Sequence, residues 1–282
     1  MRFLLAVCFL TGCAALGGVS DGSSVAYGPM TQGALRNGVR LPAHGEGYQI
    51  PDHWAERGSA FGTDELVAMI VHVARRVGME LPGSTLYVAD LSPRGGGGSR
   101  WHRTHQTGRD VDLHFFALDD EGKPAPPPAN MPQFGADGVT TPRAWQRLVF
   151  DTARNWALVR AILEDPDVDV QFIFVADALK QRLLRYAAER GESAELIAHA
   201  EGTLHQPEDS RPHDDHFHVR IYCPASDGIL GCQVQGKGSQ RWPKNAASRR
   251  IATALAHWAA PMRVLAARPF CQFLSRSLLA AR

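Results

Sequence analysis

The 282-residue chain has no excess of either charge: 30 Lys and Arg stand against 29 Asp and Glu, a formal net charge of +1. It therefore lacks the basic footprint with which nucleic-acid binders meet phosphates. It also lacks any apolar run near the ~20 residues of a membrane-spanning helix. Cysteine is scarce, five in all, and no Cys-x-x-Cys pair offers a structural metal site. There is no His-Glu-x-x-His run, which excludes a zinc helix of that kind. Gly95 to Gly98 are not followed by Gly-Lys-Ser/Thr, which excludes a phosphate loop, and no elbow motif marks a Ser or Cys nucleophile. What remains is an ordinary globular composition, 44% hydrophobic and 21% charged, with length enough for one large domain or two small ones.

At the amino terminus a single positive charge, Arg2, precedes the apolar stretch Phe3 to Leu10. The stretch is too short for a bilayer and has the flanks of a removable export signal. Leu10-Thr11-Gly12-Cys13 resembles the lipobox of bacterial lipoproteins. The resemblance implies a signal peptide over 1–12, acylation at Cys13 and a Gly- and Ser-rich tether over 13–34. An ordinary signal cut elsewhere, with Cys13 unmodified, is the alternative. Both take the protein out of the cytoplasm, to the periplasm or to the outer membrane, with Cys13 as its one membrane contact. Cys223 and Cys232 bracket a loop holding Pro224, Gly228 and Gly231, so a local disulfide is expected in an oxidising compartment. Cys271 has no evident partner unless Cys13 escapes acylation.

Helical spacing of Leu66, Met69, Ile70 and Val73 after Thr63-Asp64-Glu65 predicts a helix over about 64–79. Thr85 to Leu91 reads as a strand, 94–100 as a mobile glycine loop, and Pro124 to Pro132 as a second loop. Thr141-Pro142 predicts the start of a helix running to Leu163. Val168 to Ala176 reads as a strand, 178–190 and 193–200 as helices, and about 246–282 as a helical tail broken at Pro261. Helices and strands mix without a βαβ rhythm. The expected class is α+β with a small antiparallel sheet, in a domain over 35–282 whose motif-bearing core spans about 60–224.

Twelve histidines are the compositional oddity, and His102, His105, His114, His213, His216 and His218 fall in two short windows. After Gly108, alternation points Asp110, Asp112 and His114 to one face of a strand, with Val111, Leu113 and Phe115 on the other. His216, His218 and Arg220 alternate in the same way with Phe217, Val219 and Ile221. The apolar sets suit a core; the polar sets cost too much to bury alone. Imidazoles and carboxylates on two strand faces suit a metal such as zinc, for which three protein ligands and one open position suffice. The alternation alone fits two solvated strands equally well.

His105-x6-Asp112 with a distant His216-x-His218 resembles the signature shared by lysostaphin-type peptidases, D-Ala-D-Ala metallopeptidases and hedgehog domains. More narrowly, Thr104-His-Gln-Thr-Gly-Arg-Asp-Val-Asp112 and His213-Asp-Asp-His-Phe-His-Val-Arg220 resemble penicillin-insensitive murein endopeptidases. Gly38-Val-Arg-Leu-Pro42, Tyr48, Arg57-Gly58, Gly62-Thr-Asp-Glu-Leu66, Asp90-Leu-Ser92 and Tyr222-Cys-Pro224 extend the likeness over most of 35–224. The lipobox and the small number of cysteines depart from the pattern.

The resemblance implies a hedgehog or D-Ala-D-Ala metallopeptidase-like sheet surrounded by helices, with one Zn2+ held by His105, Asp112 and His218. It implies His216 as general base and His213 as a second catalytic or substrate-contacting group. His102 becomes either a further ligand or a residue behind the ligands. Some relatives use a carboxylate where Asp215 stands; a regular strand would turn Asp215 away from His218, which favours His216. His114, on the same face, reads equally as a surface histidine, and Arg103, Arg109 and Arg220 are candidates to meet substrate carboxylates. The implied activity is that of a zinc-dependent D,D-endopeptidase hydrolysing D-alanyl–meso-diaminopimelyl cross-links in peptidoglycan, with no serine acyl-enzyme. A D,D-carboxypeptidase trimming stem peptides and an inactive zinc-bearing murein-binding module are the other readings. His216 beside three ligands disfavours the module.

In cells fed a clickable fatty acid, the protein is expected to carry the label and Cys13→Ser to lose it. An unlabelled wild-type protein returns Cys13 to the soluble reading.

Overall fold

The computed structural model describes residues 22–142, 144 and 146–235. The expected signal over 1–12, Cys13, Cys271 and the tail over about 246–282 lie outside the described residues. The elements that position the site are β1 (Val25–Tyr27), β2 (Ala34–Arg36), α1 (Asp64–Glu80), β3 (Asp110–His114) and α2 (Thr152–Leu163). They continue with β4 (Val170–Phe174), α3 (Asp177–Glu189), α4 (Ala194–Thr203), β5 (Leu204–His205) and β6 (His216–Ile221). No helix among the described residues is long and apolar enough to cross a membrane.

Local chemistry sets the helix starts. Thr63 Oγ1 accepts from the Leu66 amide, and Asp64 and Glu65 place negative charge at the positive end of α1. Leu66, Met69, Ile70, Val73 and Val77 recur on its buried face, which packs against α2. Truncating one such residue, Leu66→Ala, costs about 2–5 kcal/mol. α2 begins ten residues later than Thr141-Pro142 predicts. Asp151 caps it, accepting from the Arg154 amide at 3.1 Å. Upstream, the Thr140 amide donates to Leu148 O, and the Leu148 amide to Thr140 Oγ1. Val149–Phe150 then pairs with Ala117–Leu118. These bonds use up backbone groups that a helix from Pro142 would need.

The main sheet has the order β5-β4-β6-β3. β4 lies antiparallel to β6 and β6 to β3, while the short β5 runs parallel to β4. The class is therefore mixed α and β, with small sheets and an antiparallel centre to the largest. Val111, Leu113, Phe217, Val219 and Ile221 join α1 and α2 in one continuous core. Of the expected strand over 85–91, only Leu86–Tyr87 is regular. The chain nevertheless continues beside β3: the Ala89 amide donates to Asp112 O, and the Asp112 amide to Asp90 O. That run delivers Asp90 and Leu91 to the site.

Two expectations about loops change. The end of the expected tether is folded: β1 pairs with β2, and the Ala26 amide donates to Asp227 Oδ2 at 2.7 Å. The Ser24 amide donates to Asp64 Oδ2, and the Asp64 amide returns a bond to Ser24 Oγ. The glycine loop is pinned at Gly96, whose φ is +68° and whose added Cβ would lie 2.2 Å from Gln106 O and 2.5 Å from the Leu35 amide nitrogen. Close backbone approach, not mobility, explains a glycine there.

Cys223 and Cys232 are joined, and with Ala26 they form a small buried cluster under β1. An unreduced digest is expected to contain the linked peptide, and Cys232→Ala to lose about 2–3 kcal/mol in urea denaturation. Two alkylatable thiols would overturn the pairing.

Candidate metal centre

β3 and β6 lie in register, with His216 opposite His114, His218 opposite Asp112 and Arg220 opposite Asp110. Alternate residues share a face, so these six side chains form three polar pairs in a row. All except His216 are buried. His105 joins them from the loop before β3. Its φ of +61° makes it one of two non-glycine residues in the left-handed region among the described residues. Such a backbone costs about 1–3 kcal/mol and persists only when its surroundings hold it.

Its ring is held in part by a bond from His105 Nδ1 to Leu91 O at 2.9 Å. A carbonyl only accepts, so Nδ1 carries the proton and Nε2 is a bare lone pair. His218 is fixed from the other side, its Nε2 donating to Asp110 Oδ1 at 2.9 Å and its Nδ1 left bare. The two bare nitrogens face each other at 3.2 Å, and Asp112 Oδ1 lies 3.3 Å from the first and 3.0 Å from the second. Asp112 Oδ1 is buried without a hydrogen-bond donor among the described residues. Three lone pairs in such a triangle repel one another unless a cation lies between them. The edges come close to the ~3.3 Å edge of a tetrahedron with metal–nitrogen bonds of ~2.0–2.1 Å. The residues fit a divalent ion.

Around this triangle the supports are specific. The His102 ring stacks on His105 with centroids 4.2 Å apart. Its Nε2 lies 2.8 Å from Asp90 Oδ2 and 3.7 Å from Asp112 Oδ2. Asp90 also receives Arg57 at 2.8 Å. His216 turns Nδ1 to Asp215 Oδ1 at 2.5 Å and Nε2 toward Asp112 Oδ1 at 3.5 Å. His213 lies against Phe174 and His216, its Nδ1 buried and without a hydrogen-bond partner among the described residues.

Electrostatics separate these groups. Burial alone would raise both strand carboxylates. Arg220 and His218 instead hold Asp110 well below its ordinary range, and His105 and His216 do the same for Asp112. Burial, aided by His216, pushes His114 down to about 3 and His213 down to about 4. His216 goes the other way: burial opposes its charge, but Asp112 and Asp215 raise it to about 10 in the metal-free protein.

Several expected roles do not survive burial. Arg109 is fully buried and donates to Thr107 Oγ1, Ile221 O and Gln233 O. Arg220 is taken up by Asp110, which accepts its Nε at 2.6 Å. Neither can meet a substrate carboxylate; of the three arginines only Arg103 is exposed. His114 is not a surface histidine but 2% exposed, edge-on to Trp54. Asp215 precedes β6, so strand alternation does not govern it, and its carboxylate turns to His216. Sequence pattern does not single out Asp90, Asp110 or Leu91 as supports. Asp110 is on the expected face, but only the fold shows that it meets His218, and a backbone carbonyl has no sequence signature.

A family model described as penicillin-insensitive murein endopeptidase matches residues 26–264. This chain belongs to that family. Proteins with that name from Haemophilus influenzae and from Escherichia coli O1:K1 / APEC are each 28% identical, over 220 and 218 residues. The alignments cover 73% and 76% of this chain, and 66% and 71% of the two relatives. The chain thus spans about two thirds of the length of the Haemophilus protein. The family match takes in every residue of the triangle and of its supports.

Acid is expected to destabilise the metal-free protein in two stages. His114 and His213 titrate below an unfolded value of ~6.5, and Asp110 and Asp112 below ~3.9. In each case the unfolded chain takes up protons first as the pH falls, so stability drops. The loss begins below about pH 6.5 and steepens below about pH 4. His216 has the opposite sign: its contribution is complete below ~6.5 and fades as the pH rises toward about 10. Urea denaturation of chelator-treated protein from about pH 3 to about pH 9 checks both signs; a flat acid limb would contradict the burial of these groups.

Proposed function

We propose that this protein is an exported, zinc-dependent D,D-endopeptidase that hydrolyses D-alanyl–meso-diaminopimelyl cross-links in peptidoglycan. The observation that carries the reading is the meeting of His105 Nε2, His218 Nδ1 and Asp112 Oδ1 beside His216, in a chain of the murein endopeptidase family. Two imidazoles and one carboxylate are a ligand set of zinc hydrolases. Zinc held there supplies charge that polarises a peptide carbonyl and acidifies water. The name borne by the relatives supports murein as the substrate class. Acylation of Cys13 belongs to the same proposal, as does a sheet of the hedgehog or D-Ala-D-Ala metallopeptidase type.

Each residue then has one task. Asp110 and Leu91 O hold His218 and His105 in the tautomers that face the centre. His102 positions His105 through its stacked ring and its bond to Asp90 and is not a fourth ligand. Asp215 fixes the Nδ1–H of His216, so Nε2 faces inward to take a proton and return it to the leaving amine. With a cation held by Asp112, His216 would lose part of the attraction that raises it and would be better placed to accept a proton. His213, neutral and beside His216, is a contact for the peptide.

Digestion of purified murein sacculi tests the activity. Loss of cross-linked dimers with retention of terminal D-alanine is expected. Loss of terminal D-alanine alone would assign a carboxypeptidase, and unchanged muropeptides with zinc bound would assign a binding module. Alanine at His105, Asp112 or His218 should lower zinc content and turnover together. His216→Ala should keep its zinc while kcat falls by about 10²–10⁴-fold. A zinc-free His216→Ala protein would make that residue a ligand; full activity beside an inactive Asp215→Ala would move the base to the carboxylate.

A further inference from the structure

The chemistry above leaves Arg57 without a task, yet three features of the site's surroundings meet on it. A one-turn helix over Asp52–Ala55 ends just before it: the Arg57 amide donates to Trp54 O and the Gly58 amide to Ala55 O. The turn lays the guanidinium back over Trp54, its carbon 3.7 Å from the ring centre. The Trp101 ring, from the loop that leads to His105, lies 4.5 Å from the same carbon. Nη1 donates to Asp90 Oδ2 at 2.8 Å, the oxygen that His102 Nε2 also meets at 2.8 Å. Trp101 and His102 are neighbours in the chain. One guanidinium thus grips the first directly and the second through Asp90.

Both grips lead to the centre. His102 backs the ring of His105, and Asp90 directly precedes Leu91, whose carbonyl holds His105 Nδ1. Asp90 is fully buried, and its Oδ1 has no hydrogen-bond partner among the described residues, so its place depends on what meets Oδ2. Arg57 brings the positive charge that a buried carboxylate needs. A planar guanidinium donates in its plane while its faces stack on rings, a combination that Lys does not offer. By repulsion alone, a positive group this close to a cation site weakens cation binding. The two effects of Arg57 therefore have opposite signs. Deleting it strengthens metal binding if only its charge matters, and weakens metal binding if its grip matters.

We infer that Arg57 is a positioning residue of the metal centre, holding Asp90 and the Trp101–His102 stretch so that the His105 lone pair meets the ion. The inference rests on the zinc reading and deepens it. The test is the zinc affinity of the full chain, measured by competition with a chromogenic chelator. The visible bands of the cobalt-loaded protein, which follow ligand geometry, are recorded beside it. Arg57→Ala should bind zinc about 10–100-fold more weakly, the usual worth of a group behind a ligand, and should shift the cobalt bands. Arg57→Lys keeps the charge beside Asp90 without the flat face, and should fall between Arg57→Ala and the wild type. Trp101 is 49% exposed, so Trp101→Ala leaves the core intact. It should cost about two- to fivefold, the worth of one exposed cation–ring contact, and nothing further in the Arg57→Ala background. Arg100 lies over the same indole at 4.3 Å and is the control: Arg100→Ala should leave zinc affinity unchanged. Zinc binding by Arg57→Ala equal to or tighter than that of the wild type would overturn the role. So would unshifted cobalt bands, additive losses in the double variant, or an equal loss in Arg100→Ala. Wild-type protein that takes up no zinc would reject the zinc reading itself. Weakened zinc binding in the variants while wild-type protein leaves sacculi intact would reject the endopeptidase and keep the role of Arg57.

Discussion

Asp110 lies fully buried between the guanidinium of Arg220 and the ring of His218, and the centre is built outward from that contact. A buried carboxylate is tolerable only with its charge and its lone pairs answered. Arg220 answers the charge, and the Nε2–H of His218 takes a lone pair; both contacts fall on Oδ1, and Oδ2 has no hydrogen-bond partner among the described residues. The second bond has a remote effect: with Nε2 protonated, His218 must present Nδ1 as a lone pair on its other side. Asp112, one pair further along, meets that lone pair and the one from His105. An ion pair in the interior of a sheet thus decides which atoms of the next pair are free to bind. Loss of one partner of such a pair typically costs about 3–5 kcal/mol, because the remaining charge is stranded.

The rest of the fold holds both ends of the polar row. At the Arg220 end, Arg109 ties together Ile221 O and Gln233 O, and Gly28 exchanges backbone bonds with Gly231 and Gln233. Asp227 takes the Ala26 amide, and the Cys223–Cys232 bond closes the loop between. The first strand and the segment after β6 therefore brace each other there. At the His216 end the segment before β6 is tied as well: the Phe134 amide donates to Asp214 O, the Ala176 amide to His213 O and the His213 amide to Gln206 Oε1.

The two central strands are legible in the sequence because Asp110-Val-Asp-Leu-His114 and His216 to Ile221 each alternate strictly. That pattern also places the right residues on one face. It does not reveal that this face is covered, so Arg109 and Arg220 look like surface charges available to a substrate when both are interior. α1 is legible from its Thr63 cap and its apolar spacing. The start of α2 is not, since Thr141-Pro142 carries a valid local signal that the Thr140–Leu148 loop overrides at long range. Asp90 and Leu91 stand in a run that carries the family likeness, but nothing in that run shows that they support the site. They reach the site on irregular backbone that is placed only by bonding to β3.

The left-handed backbone at His105 has a consequence for how the centre fills. Its ring is already turned inward, and its Nδ1 is already held by Leu91, so little side-chain freedom is left to lose when an ion arrives.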